Sequence, residues 1–257
     1  MDLGLKQRVA LVTGGSQGIG KAIAAKLAQE GATVVIAARG RELLDQVVNE
    51  IVQAGGQAIG MQADVSKEED CTRLIHDIVQ KFGRIDILIN NAGTSATGEF
   101  ESALDATWQA DFDLKLFAAI RLARLAIPEM KKRSWGRIIN VTNIGAKQPA
   151  AKSMPTTVTR AAGLALTKAL SKEFAPNNIL VNSICIGLIK AGQHEKKAAA
   201  AGVPVEQMYE TMGKNIPLGR VGRAEEVANV AAFLSSEAAS FVTGSSINLD
   251  GGASAVM

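Results

Sequence analysis

Apolar residues in this chain follow two alternating rhythms. Short continuous runs at 9–12, 33–37, 58–61, 85–89, 137–141, 180–185 and 246–249 are partly β-branched and bounded by Gly, Asn or Asp. That is the pattern of strands covered on both faces. Between them lie segments of helical spacing at 19–30, 41–54, 67–82, 104–131, 157–174 and 224–235. In the first of these Ile19, Ile23 and Leu27 recur every four residues, one face of a helix. Ahead of the third, Ser66 is placed as N-cap and Glu69 as its partner in a capping box. Alternation from end to end predicts an α/β fold, a Rossmann-like doubly wound parallel sheet of seven strands with helices on both faces. No linker or repeat interrupts it, so residues 1–257 are expected to form a single domain. The irregular stretch is 187–217, where Gly192, Gly202, Pro204, Gly213 and Pro217 surround an Ala-rich helix at 195–201. A connection this long inside a compact domain reads as a mobile flap over a binding site.

Composition narrows the function. Hydrophobic residues are 47% of the 257 and charged residues 21%, which excludes disorder. With aromatics at 4%, the core must be Ala, Val, Leu and Ile. A net charge of +3 is too small to argue for a nucleic-acid partner. No apolar run approaches the ~18 residues of a membrane span. Five residues before a strand-like start at 6–12 leave no room for a signal peptide. Two cysteines, Cys71 and Cys185, make neither a disulfide framework nor a four-cysteine zinc site, and no metal is expected. The expectation is a cytoplasmic protein with a small-molecule partner.

The chemistry begins at 13–20, TGGSQGIG, between the first strand and the first helix. Gly14, Gly18 and Gly20 permit a tight turn, close approach of backbone to a pyrophosphate, and close helix–strand packing. Ser16, Gln17 and Ile19 complete a turn whose helix N-terminus offers free N–H groups to phosphate. The second strand ends in Ala37-Ala38-Arg39-Gly40-Arg41, with no acid until Glu42. A carboxylate there would bind ribose hydroxyls, whereas Arg39 suits a 2′-phosphate, so NADP(H) is favoured over NAD(H).

These motifs, with Asp64-Val65, Asn90-Asn91-Ala92-Gly93, 136–141, Leu180-Val181-Asn182-Ser183, Leu218-Gly219-Arg220 and Asp250-Gly251-Gly252, resemble the short-chain dehydrogenase/reductase family over essentially the whole chain. The resemblance implies that Asp64 contacts the adenine ring, that Val65 belongs to the cofactor site beside it, and that Asn91, Ala92 and Gly93 line the adenosine side. It also implies a homotetramer built through the helices at 104–131 and 157–174, where Ala161, Ala162, Gly163 and Ala165 suit close contact. The family works with Asn, Ser, Tyr and Lys. Those four positions fall here on Lys115, Asn143, Thr156 and Arg160, and Ile186-Gly187 replaces the usual Pro-Gly, with Gly187 on the cofactor side. The cofactor half of the pattern is intact and the catalytic half is rewritten.

The substitutions limit the chemistry. A tyrosine starts near pKa ~10 and is lowered by a neighbouring cation, but an aliphatic hydroxyl starts far higher, so Thr156 does not inherit the acid/base role. Arg160 replaces lysine as a ribose-binding cation that shuttles no proton. Asn143 still donates a hydrogen bond to a carbonyl oxygen. Lys115, desolvated beside a second cation, serves as proton donor or oxyanion clamp, or merely fills the old position. Tyr209 and His194 on the flap are candidates to enter a closed site. The flap residues Leu188, Ile189, Val203, Met208 and Met212 suggest an apolar wall. Three readings stay open: an NADP(H)-dependent oxidoreductase with atypical proton delivery, a catalytically silent cofactor sensor or structural subunit, and a non-redox enzyme in the same pocket.

Overall fold

The structure, a computed structural model, describes residues 2–257, with the side chains of 193, 194, 196 and 197 outside the description. In chain order the elements are β1 (Val9–Thr13), α1 (Gly18–Gln29), β2 (Thr33–Ala38), α2 (Arg41–Gln53), β3 (Gln57–Gln62), α3 (Glu68–Phe82) and β4 (Ile87–Asn90). There follow β5 (Thr97–Gly98), α4 (Asp105–Phe112), α5 (Ala118–Lys131), β6 (Gly136–Asn143), β7 (Met154–Pro155) and α6 (Thr156–Phe174). The chain finishes with β8 (Ile179–Ile186), α7 (Gly192–Ala201), α8 (Val205–Gly213), α9 (Ala224–Leu234) and β9 (Ser246–Leu249).

Seven strands form one parallel sheet in the order β3-β2-β1-β4-β6-β8-β9, as the alternation predicts. The chain builds outward from β1 in one direction, then returns to β4 and builds in the other. The crevice beyond the carboxyl ends of β1 and β4 is therefore where a ligand has access. Each face of the sheet has its own apolar layer. Ile23 and Leu27 of α1, Leu44 of α2 and Val227 and Leu234 of α9 pack on one face. Leu74 and Ile78 of α3 with Leu122, Ile127 and Met130 of α5 pack on the other.

Four local readings change. The capping box at Ser66 and Glu69 is not formed: α3 is entered through Lys67 without a side-chain cap, because Ser66 gives both its N–H (3.1 Å) and its hydroxyl (2.7 Å) to Asp64 Oδ1. The fourth strand starts at Ile87, since the buried Asp86 side chain accepts Val9 N–H at 2.8 Å and ties two strand entries together. The long helix expected at 104–131 is α4 and α5 joined by one π-helical turn, Asp113–Phe117. Finally, the stretch expected to be an irregular flap contains α8, where Val205, Met208, Tyr209 and Met212 recur at helical spacing. A small antiparallel ribbon of β5 with β7 is added, two residues a side and too short for a periodic signal.

Candidate active site at the carboxyl ends of the strands

A cleft of about 580 Å³ runs along this edge. Gly14, Ser16, Gln17, Gly18, Ile19 and Gly20 line one end. Gly14 has φ +64°, and a Cβ there would stand 2.9 Å from Ala92 Cα. A Cβ on Gly20 would come within 2.3 Å of the Gly14 carbonyl oxygen, so the turn and helix α1 close only without side chains. Helix α1 begins with neither a side-chain cap nor an acid in its first turn. Its first N–H groups are thus left for an anion. The turn is locked from the next strand: Thr13 Oγ1 accepts the N–H groups of Asn91 (3.0 Å) and Ala92 (3.1 Å), and Asn91 Nδ2 donates to Thr13 O at 2.9 Å. A rigid glycine cradle with uncapped donors fits the pyrophosphate of a dinucleotide.

Further along, Arg39, Asp64 and Val65 line the cleft, followed by Asn91, Ala92 and Gly93. Burial of Asp64 would raise its pKa, but the two Ser66 hydrogen bonds, with Arg39 and Lys67 nearby, hold it below the usual range. Arg39 is exposed at the rim. Arg41, by contrast, is spent on Asp45 (2.8 Å) along α2 and does not line the cleft.

Asn143, Thr156 and Arg160 line the opposite end. Asn143 Oδ1 is buried and finds no partner among the described residues. Arg160 Nη1 donates to Val141 O at 2.6 Å, and burial, opposed by Asp111, brings its pKa down to about 10. The guanidinium fits because position 93 is Gly: a Cβ there would lie 2.7 Å from Arg160 Nη2.

Lys115 sits on the π-helical turn, a distortion that often accompanies functional sites. Its side chain is 1% exposed and does not line the cleft. The ammonium donates to Asp111 Oδ1 and, at 2.9 Å, to Thr156 Oγ1. Desolvation pushes the Lys115 pKa down to about 8, with Asp111 opposing and the Arg160 cation assisting. Asp111 is a member of this buried cluster that no motif in the sequence points to. It lies four residues before Lys115 on the same helix, the spacing of an ion pair, and its Oδ2 accepts the Thr159 hydroxyl at 2.7 Å.

Several expectations change place. The Thr156 hydroxyl is fully engaged, accepting from Lys115 and Ala96 N–H (2.9 Å) and donating to Ala96 O (3.0 Å), so it positions Lys115. Gly187 does not line the cleft; its N–H donates to Leu249 O at 2.9 Å, and a Cβ would strike the Asp250 backbone at 2.8 Å. Nor do Leu188, Ile189, Val203, Met208 and Met212 form a wall there. Ile189 is drawn into the core beside Gly222, and among the described residues of segment 187–217 it is Ala191 and Gly192 that line the cleft. Tyr209 is buried with Ile216 and Val221, its hydroxyl on the Ala191 peptide at 3.3 and 3.4 Å. The His194 side chain lies outside the described residues. Among the described residues, no helix is long and apolar enough to cross a membrane, and no three His, Cys, Asp or Glu side chains gather to hold a metal.

Residues 14–254 match the family described as enoyl-(acyl carrier protein) reductase. The chain is 36% identical over 251 residues to human dehydrogenase/reductase SDR family member 4, covering 96% of this chain and 88% of that protein. It is 35% identical over 253 residues to 3-oxoacyl-[acyl-carrier-protein] reductase FabG of Aquifex aeolicus, covering 98% and 99%. L-sorbose reductase of Gluconobacter frateurii, solved with NADPH and L-sorbose, superposes with a TM-score of 0.95 at 34% identity over 100% of both chains. With a glycine cradle, a switch-point cleft and full-length relatives in agreement, the chain belongs to the short-chain dehydrogenase/reductase family of NAD(P)-dependent oxidoreductases.

Proposed function

We propose that this chain is an NADP(H)-dependent oxidoreductase of a small carbonyl or hydroxyl compound, with NADP(H) preferred over NAD(H), and that its proton chemistry runs on a rewritten set: Lys115, Asn143, Thr156 and Arg160. The observation that carries the reading is the buried Lys115 ammonium, lowered to about 8 behind the substrate end of a cleft shaped for a dinucleotide. A group poised near neutral pH is what proton transfer to a carbonyl needs. The bound nicotinamide would supply the hydride. The 14–20 turn holds the pyrophosphate, Arg39 the 2′-phosphate, and Asp64, Val65 and 91–93 the adenosine. Arg160 is the fixed cation on the ribose side, the Asn143 amide hydrogen-bonds the substrate oxygen, and Thr156 orients Lys115. NADPH in the sorbose reductase complex supports the same cofactor here.

In this reading the whole chain, 1–257, works as one domain, and 187–217 is the flap that closes over the substrate. The helices at 104–131 and 157–174 form a homotetramer interface, supported by exposed Phe117 and Val158. The setting is cytoplasmic, where the buried free thiols Cys71 and Cys185 stay reduced.

A second reading has its own support. Lys115 is sealed from the cleft and paired with Asp111, which suits a silent NADP(H)-binding sensor or structural subunit. Oxidation of NADPH screened against aldehydes, ketones and 3-oxoacyl thioesters separates the two. Turnover that is lost in Lys115→Met supports the enzyme; tight NADPH binding with no turnover on any substrate supports the sensor.

A further inference from the structure

Behind the cleft lies a second, smaller cavity of about 30 Å³. Its lining includes Asn90, Lys115, Thr142, Thr159 and Arg160. That volume holds one or two waters, provided that polar partners are present. Asn90 Oδ1, Thr142 Oγ1 and Arg160 Nε are buried with no partner among the described residues, and all three belong to side chains of this lining. Elsewhere the same side chains are satisfied: Asn90 Nδ2 donates to Asn140 Oδ1 at 2.9 Å, and Arg160 Nη1 to Val141 O. Left over are one fixed donor, the Arg160 Nε–H, one fixed acceptor, Asn90 Oδ1, and one hydroxyl free to do either. A water accepts from the first and donates to the other two, the three bonds typical of a buried water.

Position gives the cavity a role. Lys115 lines it and not the cleft, whereas Thr142 and Arg160 line both. Thr142 is itself only 5% exposed. We infer that this cavity is a water-binding site, and that its water with the Thr142 hydroxyl forms the path by which Lys115 exchanges protons with the cleft. The relay part rests on the oxidoreductase reading above; the water site does not. In the reducing direction the substrate oxygen becomes negative as its carbon accepts hydride. The Thr142 O–H proton moves to that oxygen, the water gives a proton to Thr142 Oγ1, and a Lys115 N–H proton passes to the water. Lys115 ends as the neutral amine, and the water and hydroxyl end unchanged. The path answers the objection to catalysis, a lysine with no direct face on the cleft, and bypasses Thr156, whose hydroxyl is already committed.

High-resolution crystals of the wild type and Thr142→Val, with kinetics on both, test this. The expected wild-type result is an ordered water at ~2.7–3.2 Å from Asn90 Oδ1, Thr142 Oγ1 and Arg160 Nε. Thr142→Val should weaken that density and slow turnover about 10²-fold, the lower range for a positioned proton transfer, with NADPH affinity nearly unchanged and activity rescued by Thr142→Ser. No water at those three atoms in the wild type overturns the site. Water present with full turnover in Thr142→Val overturns the relay. Lys115→Met, measured alongside, keeps the failures apart. Full activity there sinks the oxidoreductase role of Lys115 whatever the density shows, and lost activity there with Thr142→Val unaffected sinks the relay alone.

Discussion

Both ends of the parallel sheet bury arginine, and the two ends use it differently. At the amino end Arg137 is fully buried, its pKa brought down to about 10 by desolvation. Its nitrogens are all occupied, by the Ser236 (3.4 Å), Gly136 (2.9 Å) and Asn178 (3.2 Å) carbonyls and by Glu237 (3.4 Å). Trp135 is stacked between Arg137, 4.2 Å from its ring centre, and Arg8 at 3.7 Å, and donates its own N–H to Glu237. Arg84 clamps Asp86 with two bonds of 2.7 and 2.6 Å. At the carboxyl end Lys115 is paired with Asp111, whose charge also acts on Arg160 from further away, and Arg160 Nε, Thr142 Oγ1 and Asn143 Oδ1 have no partner among the described residues. A buried charge with every partner supplied is architecture. A buried charge with polar groups left beside it is a place where something binds.

That contrast breaks first at Lys115. Lys115→Met is expected to lower turnover by about 10²–10⁴-fold while NADPH affinity, measured by fluorescence titration, stays nearly constant. Arg137→Met is its mirror image. Taking the guanidinium away from the Ser236, Gly136 and Asn178 carbonyls should cost about 1–3 kcal/mol in denaturant unfolding, with turnover per folded molecule retained. Lost activity in a fully folded Arg137→Met protein would erase the distinction between the ends.

Arg39 tests the cofactor end on a smaller scale. A charge-assisted guanidinium–phosphate pair contributes about 1.5–3 kcal/mol, so Arg39→Ala should weaken NADPH roughly ten- to a hundredfold and leave NADH unchanged. Equal wild-type affinities for the two would refute the preference. The smallest effect is a pH shift. Reduction draws on protonated Lys115, so its rate should hold below pH about 8 and fall as pH rises through it, while oxidation rises there. Asp111 holds the ammonium charged and Arg160 repels it. Asp111→Asn should therefore move the limb to lower pH, and Arg160→Gln to higher pH, each by about one unit, a typical effect of one neighbouring charge. Shifts in the same direction would show that another group titrates.

The amino-acid sequence by itself determined the sheet, its seven strands and the glycine cradle. Continuous apolar runs and 3.6-residue periodicity are local, and a turn such as 14–20 tolerates few residues but glycine, so these features are written residue by residue. Its motifs also singled out Lys115, Asn143, Thr156 and Arg160 as the side chains to follow. What only the tertiary structure decided is the direction and company of each of them. Lys115 lies on a π-helical turn invisible to periodicity, and its ammonium is buried against Asp111 without lining the cleft. The ribbon of β5 and β7 brings Ala96 to Thr156 and uses up its hydroxyl. Gly187 and Ile189, read as site residues, are taken by packing against Asp250 and Gly222. Lowering of the Lys115 pKa depends on burial and on Arg160, 45 positions along the chain from it. Desolvation and through-space charge belong to the folded surroundings and have no counterpart in a linear pattern.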